Sequence, residues 1–287
     1  ITAGQITSSG DEGGGNITFN TNSNFYLDGL FVVRSDGFKD GEGGDINLRA
    51  NSVLLKGGSR FLTGSEQAED GGDITVNANY VELSGSGTYP NGLRIPTVMS
   101  AATFSSGNAG NITVNAQRLL IHEGAGGLGT LTGNGGDGGD VILDVSESIE
   151  LIGIEGDDVT PIGILSDTAN NRFGNQAFDG KAGDIFIKTK RLIVRDGAII
   201  SSSTLNGGLG GNLNIDASEF IQLSGTSNGF ASGIYSQAFG AGNAGKLSVT
   251  TPNLIISDQA TITTRTATVT EVNYAINSSF QREFGLS

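Results

Sequence analysis

The stretch Gly71-Gly72-Asp73-Ile74-Thr75-Val76-Asn77-Ala78 decides the fold. It consists of a glycine pair, one small polar residue and a short run that alternates apolar and polar side chains. The same unit recurs along the chain, and its polar residue is Asn16, Asp45, Asp73, Asn111, Asp140, Asp184, Asn212 or Lys246. Self-similarity with a period of roughly 20–50 residues is typical of solenoids and propellers. The chain is therefore predicted to be a repeat protein.

The spacing of these units defines one coil of the repeat. The shortest steps are 28 or 29 residues, and the longer steps of 38, 44 and 34 residues indicate insertions. Within each unit a second apolar pair follows the first, as in Val81/Leu83. A third strand-like run closes the unit, as in residues 163–166. Each unit of about 28 residues thus supplies three short strands and three turns.

Three short strands per unit fit one coil of a parallel β-helix. The alternation directs Ile74 and Val76 inward and Thr75 and Asn77 outward. A propeller blade would need about 40 residues and antiparallel hairpins, which the pattern does not show. We predict an all-β fold: a single-stranded parallel β-helix (solenoid) of about eight to nine coils, roughly 40 Å long at about 4.8 Å per coil. The bias of parallel crossovers favours a right-handed helix.

The predicted β-helix spans residues 1–270, and residues 271–287 form a C-terminal extension, cap or linker. Insertions are predicted at 85–95, 153–161, 167–180 and 225–231. Those at 85–95, 153–161 and 225–231 follow the second strand of units three, five and seven, so they leave the rod at one corner. Longer surface loops add little to the entropic cost of loop closure, so one interpretation is that these insertions have no function. The other is a ligand or adhesion surface, with these candidate residues: Tyr89, Arg94, Asp157, Asp158, Arg172, Phe173 and Phe230.

Both ends of the predicted rod offer unpaired strand edges. The first nine residues resemble the closing strand of a coil whose beginning is absent, and the repeat decays after Ile262. Natural solenoids normally cap such edges. The chain is therefore expected to be either a slice of a longer array or a unit that stacks end to end.

Composition and charge exclude several classes of protein. The 287 residues include no cysteine, which excludes disulfides and thiolate metal sites. The formal net charge of −14 argues against a nucleic-acid partner, because phosphate binding needs basic patches. There is no apolar run of about 18 residues, so no segment of the sequence is predicted to span a membrane.

Two stretches link the repeats to a known family. They are residues 107–119 (GNAGNITVNAQRL) and residues 190–201 (KRLIVRDGAIIS). The repeats resemble those of filamentous-haemagglutinin-like, S-layer-family secreted surface proteins of the cyanobacterial type. The resemblance implies a right-handed parallel β-helix, export by two-partner secretion, a location outside the cell or on its surface, and a role in adhesion or surface structure. The Asn-Pro-Asn signatures of the family's secretion domain are missing, because the chain has no Asn-Pro pair.

A calcium site is a further candidate. Residues 135–143 match the nine-residue calcium-binding repeat of RTX-type β-rolls, which makes Asp137 and Asp140 weak metal candidates. A calcium roll needs that nonapeptide in tandem, and the neighbouring stretches 126–134 and 144–152 do not repeat it. A glycine turn is the expected role of this stretch.

The alternative function is a carbohydrate-active enzyme, because lyases and hydrolases also use β-helices. Such chemistry usually needs paired carboxylates on one strand face. Asp144 and Asp216 share the outward row of the first strands, but Lys188 separates them. The single histidine, His122, has no evident acid partner in the sequence and is expected at the surface. The chain is therefore predicted not to be an enzyme.

The function predicted from the sequence is a non-enzymatic, extracellular rod with a structural or adhesive role. In one version it is a spacer or adhesive segment among flanking repeats of a longer chain and presents its corner loops to surface glycans. In the other, protomers stack head to tail through their open coil edges.

Overall fold

The computed structural model describes residues 3–39, 41–65, 69–103, 106–133, 135–153, 162–168, 179–204, 207–227 and 229–267. These ranges form a parallel β-helix of eight coils, which confirms the predicted fold. They contain no helix that could span a membrane. The predicted extension 271–287 lies outside the described residues.

Each coil holds a first, a second and a third strand, in that order. Strand β1 (Ala3–Thr7) precedes the first coil. The first four coils contain β2 (Ile17–Asn20), β3 (Asn24–Asp28) and β4 (Leu30–Gly37); β5 (Ile46–Arg49), β6 (Ser52–Lys56) and β7 (Arg60–Ser65); β8 (Ile74–Asn77), β9 (Tyr80–Ser84), the insertion strands β10 (Ser86–Thr88) and β11 (Arg94–Pro96), and β12 (Val98–Thr103); β13 (Ile112–His122) and β14 (Gly127–Thr132).

The last four coils follow the same plan. They contain β15 (Val141–Ile152) and β16 (Gly163–Thr168); β17 (Ile185–Arg195) and β18 (Ile199–Ser201); β19 (Leu213–Ser224), the insertion strands β20 (Thr226–Ser227) and β21 (Phe230–Ala231), and β22 (Gly233–Ala238); β23 (Leu247–Thr250), β24 (Leu254–Ser257) and β25 (Thr261–Thr266).

Two parallel sheets run the length of the rod. The third strands form one sheet in the order β1-β4-β7-β12-β14-β16-β18-β22-β25. The first and second strands form the other sheet. In coils four to seven these two strands join into a single long strand, with a register irregularity such as that between Ala116 and Arg118. The corner between them is therefore a bend in a continuous strand in these coils, rather than a turn.

The core is a set of apolar rows along the rod axis. The first strands align in register at the position of Ile74, as the sequence predicts, from Ile17 to Leu247. A second row comes from the third strands: Val33, Phe61, Met99, Leu128, Ile164, Ile200 and Ile234, all nearly inaccessible. Near the N-terminal end three aromatic rings pack together, with the Phe25 centroid 4.8 Å from Phe19 and 5.8 Å from Phe61. Apolar burial along these rows stabilises the stack.

The repeated glycines are required by close contact between coils. A β-carbon on Gly110 would collide with the carbonyl oxygen of Gly72, and one on Gly139 would collide with that of Gly110. Buried hydroxyl groups from the third strands satisfy several carbonyls of these turns. Thr63 Oγ1 donates to Gly72 O over 2.5 Å, and Ser202 Oγ donates to Gly183 O over 2.7 Å. The glycine turn and the third strand thus hold each other in place.

The last described coil leaves part of its apolar face exposed. Leu254 and Ile256 of β24 continue inward rows yet are 47 % and 45 % exposed, while their partners Ile221 and Leu223 are fully buried. The outward-facing Ile255 between them is 48 % exposed. Within the described residues, no strand pairs with the far edge of β24.

Candidate functional site

Two of the predicted insertions are short antiparallel hairpins at the same corner of the rod. The pair β10–β11 follows Ser84, and the pair β20–β21 follows Ser224. Strand pairing puts Ser84 beside His122 and Ser224 beside Arg195, in the row that ends the second strands. The hairpins belong to coils three and seven, so about 19 Å of rod separates them at roughly 4.8 Å per coil.

The predicted adhesion residues are only partly brought together. Tyr89 and Arg94 share the first hairpin and are both half-buried. Tyr89 Oη accepts a hydrogen bond of 3.0 Å from Arg60 Nη2, whose guanidinium is otherwise enclosed by protein. Phe230 is half-buried on the second hairpin, four coils away. Four other candidates lie outside the described residues: Asp157, Asp158, Arg172 and Phe173.

The polar residue after each glycine pair builds a ladder between coils, here called the Asx ladder. Its members are Asn16, Asp45, Asp73, Asn111, Asp140, Asp184 and Asn212. In each, the side-chain Oδ1 accepts the backbone N–H of the corresponding residue in the next coil, over 2.7–2.9 Å. The ladder ends at Lys246, whose side chain has no acceptor atom.

Asp137 and Asp140, the calcium candidates, are members of such ladders. Asp140 Oδ1 accepts the N–H of Asp184, and Asp137 Oδ1 accepts the N–H of Lys181, both over 2.8 Å. In the described part of the chain no group of three or more His, Cys, Asp or Glu side chains is placed to hold a metal ion. The geometry gives these two carboxylates a role in coil stacking, and calcium binding stays a prediction.

A cluster of ionisable side chains around Glu82 lies on the outer face of the second strands. Lys56 Nζ lies 2.7 Å from Glu82 Oε1, and Tyr80 Oη donates to Oε2 over 3.0 Å. Ser84 Oγ donates to Oε1 over 3.2 Å, and His122 Nε2 lies 3.3 Å from the same oxygen. The cluster joins coils two, three and four through one carboxylate.

His122 therefore has an acid partner that the sequence analysis missed. The two residues are 40 positions apart, and the insertion in coil three hides their relation. If the insertion is removed and the glycine pairs are aligned, His122 falls beside Ser84, two residues from Glu82 on the same strand face. The repeat spacing therefore contained the information needed to predict this contact.

The contacts within the Glu82 cluster favour the ionised form of its carboxylate. Burial by itself would raise the pKa of Glu82, but hydrogen bonds from Lys56, Tyr80 and His122 outweigh it and lower the pKa. Burial and the bond to Glu82 raise the pKa of Tyr80 far above neutrality. A general acid or base works best with a pKa near the working pH. Both groups are thus moved away from that range.

The outward row of the first strands, which the sequence analysis considered for an enzymatic function, has the predicted order. Asp144 pairs with Lys188, which pairs with Asp216. The two carboxylates are therefore separated by a coil that carries a cation, as the sequence suggests.

A polar groove, here called the amide groove, lies where the first strands turn into the second strands in coils one to four. Its volume is about 640 Å³. The lining residues are Thr21, Asn22, Arg49, Ala50, Asn51, Asn77, Ala78, Asn79 and Asn115. The sequence analysis did not identify this groove, because it depends on which outward residues of successive coils become neighbours.

Comparison of the chain with models of known protein families, with curated proteins and with solved structures found no match.

Proposed function

We propose that the protein is a non-enzymatic structural and adhesive rod that acts outside the cell and joins further β-helical coils through its ends. The extracellular location is supported by the resemblance of its repeats to those of secreted surface proteins. The joining partner is either a second copy of the chain, stacked head to tail, or a flanking repeat of a longer chain.

The observation that supports this proposal is the open C-terminal end. Strand β24 offers three consecutive exposed apolar residues, Leu254, Ile255 and Ile256, on an edge that no other described strand pairs with. An exposed apolar edge strand is a template for pairing with another strand. Among the described residues the core rows also end there, so an added coil would bury both side chains and backbone.

The N-terminal end has matching chemistry. Its first coil presents Ile17, Phe25 and Leu27 in the rows that end at Leu247, Leu254 and Ile256. A second copy stacked in register would continue all three rows with apolar side chains. A contact of this kind is heterologous, so it propagates as a filament rather than closing into a dimer.

Sedimentation velocity and negative-stain electron microscopy over a range of protein concentrations would test the stacking version. We expect species longer than the roughly 40 Å rod, with a population that grows with concentration. Single short rods at every concentration would contradict head-to-tail stacking.

A matched pair of variants locates the contact. Ile255→Lys adds a charge at the exposed C-terminal edge without touching the core, and should abolish the longer species. Ile142→Lys adds the same charge at an outward position in the middle of the rod, where the residue is 40 % exposed, and should leave assembly unchanged. Equal loss of assembly in both variants would point to a general charge effect.

A further inference from the structure

We propose that the amide groove binds an extended oligosaccharide that carries uronate carboxylates, with Arg49 as the carboxylate ligand. This inference deepens the adhesive part of the proposed function and is independent of the end-to-end contact. The groove lies in coils one to four, whereas the exposed apolar edge lies in coil eight.

The size and lining of the groove suit a polyhydroxylated ligand. Its volume of about 640 Å³ lies within the range of small-molecule sites, roughly 300–1,000 Å³. Five side-chain amides and one hydroxyl line it, with Ala50 and Ala78 as small apolar members. Each amide offers both donors and an acceptor, which matches the hydroxyl groups of a sugar ring.

The amides form two parallel rows that are already oriented. Asn79 Nδ2 donates to Asn51 Oδ1 over 2.8 Å, and Asn115 Nδ2 donates to Asn77 Oδ1 over 3.0 Å. These bonds fix the planes of the amides and leave further donor and acceptor sites of each group facing solvent. A preorganised polar surface loses less entropy when a ligand binds. The rows repeat at the coil spacing, as the hydroxyls of an extended glycan repeat along its length.

The charge of the groove differs from that of the chain. The sequence has 30 acidic and 16 basic residues, yet no carboxylate lines the groove. Arg49 is its single charged group and is exposed, and its guanidinium has no hydrogen bond or ion pair with the described residues. A guanidinium binds a carboxylate through two parallel hydrogen bonds, so an acidic sugar is the ligand class that uses every group present.

The same outward row changes character outside the groove. In coils one to four it holds Asn20, Arg49, Asn77 and Asn115. In coils five to seven it holds the charged residues Asp144, Lys188 and Asp216. Stacking alone does not require amides in this row, because the charged coils stack in the same register. The amides are thus confined to the part of the rod where the groove is formed.

Isothermal titration calorimetry would test the proposal, with a galacturonate oligomer and a neutral glucose oligomer of equal length as probes. We expect the acidic oligomer to bind at least about tenfold more tightly, because one charge-assisted pair contributes that much. Arg49→Gln should remove this preference, and Asn77→Asp, which keeps the acceptor for Asn115, should weaken binding by repulsion. Absence of binding by either oligomer, or equal affinity for both, would overturn the proposal.

Lys188→Gln provides the matched control, because it removes a cation from the same outward row beyond the groove. Its affinity for the galacturonate oligomer should equal that of the unmodified protein. If Lys188→Gln weakens binding as much as Arg49→Gln does, the interaction is a general charge effect and the assigned site is wrong. Thermal unfolding of each variant confirms that the coils remain stacked, so loss of binding is not loss of fold.

Discussion

At the scale of single residues, the carboxyl groups of Asp167 and Glu82 have pKa values shifted in opposite directions. Asp167, on the third strand of coil five, accepts hydrogen bonds from Ser201 Oγ over 2.9 Å and from the N–H of Ser203 over 2.7 Å. Burial nevertheless raises its pKa to about 6, because two hydrogen bonds do not compensate for lost hydration. Glu82 behaves in the opposite way, because the Lys56 cation and three further polar side chains surround its carboxylate.

The pKa of Asp167 gives a signed prediction for stability. Its folded pKa lies above the unfolded value, so the protonated form stabilises the fold fully below about pH 4, and this contribution is lost as the pH rises through about 6. Asp167→Asn keeps the acceptor oxygen without the charge. We expect the variant to be more stable than the unmodified protein by about 1–3 kcal/mol at pH 7, and by much less at pH 4.

Denaturant unfolding of both proteins at the two pH values measures this difference. Using the difference between the two proteins removes the effect of the many other carboxylates, which titrate alike in both. A stability gain that is the same at pH 4 and pH 7 would show that the charge of Asp167 is not its cause.

At the scale of the strands, the sequence predicted the strand positions and the inward apolar rows, but it missed most contacts between outward side chains. The inward rows follow from an alternation that every unit repeats, so the strand positions around Ile74 and Val81 could be assigned from spacing alone. The Glu82–His122 contact and the amide groove were not predicted, although aligning the units without their insertions would have placed His122 near Glu82. Both involve outward side chains of the second strands or of the corner before them, which become neighbours after insertions of different length, whereas the sequence analysis compared outward positions only along the first strands.

The Asx ladder was visible as a pattern but not as a set of bonds. The polar residue after each glycine pair was recognised, and its preference for Asn and Asp is explained by the N–H of the next coil. Lys246 departs from that preference in the last described coil, where its backbone N–H is still bonded to Asn212. Lys246 lies in the last described coil, so no described coil follows it with a backbone N–H that would need a side-chain acceptor.

Substitutions along this ladder should separate the acceptor from other effects. Asn111→Ala leaves the N–H of Asp140 without its side-chain partner and should lower the free energy of unfolding by about 1 kcal/mol. Asp140→Asn keeps an acceptor for the N–H of Asp184 and should change the free energy of unfolding by only a few tenths of a kcal/mol. Lys246→Ala should be nearly neutral. Thermal unfolding of the three variants tests this order, and a large effect at Lys246 would contradict it.

At the scale of the whole molecule, stability is expected to vary along the rod. Each coil contacts only its neighbours, so a terminal coil has one stabilising interface and a central coil has two. Ile149 and Leu151 in coil five are fully buried, whereas Leu254 and Ile256 in the corresponding rows of coil eight are nearly half exposed.

Amide hydrogen exchange would measure this gradient directly. We expect the hydrogen-bonded amides of β24 to exchange at least about 100-fold faster than those of β15, since local opening of the last coil costs much less than opening of the centre. The difference should shrink in samples where longer species form, because a stacked copy covers β24. Uniform protection from β15 to β24 in a dilute sample would show that the rod opens as one cooperative unit.

The parallel stacking of coils also has a mechanical consequence. The backbone hydrogen bonds between coils run along the rod axis. Tension applied to the two chain ends would therefore break them one coil at a time, beginning at a terminal coil. A coil of 28 residues, such as that from Asp45 to Asp73, would release about 90–100 Å of extended chain for each 5 Å or so of rod lost. Under tension, the molecule would therefore lengthen in discrete steps of one coil. In a rod fixed at one end, this unfolding would limit the force that reaches the attachment point.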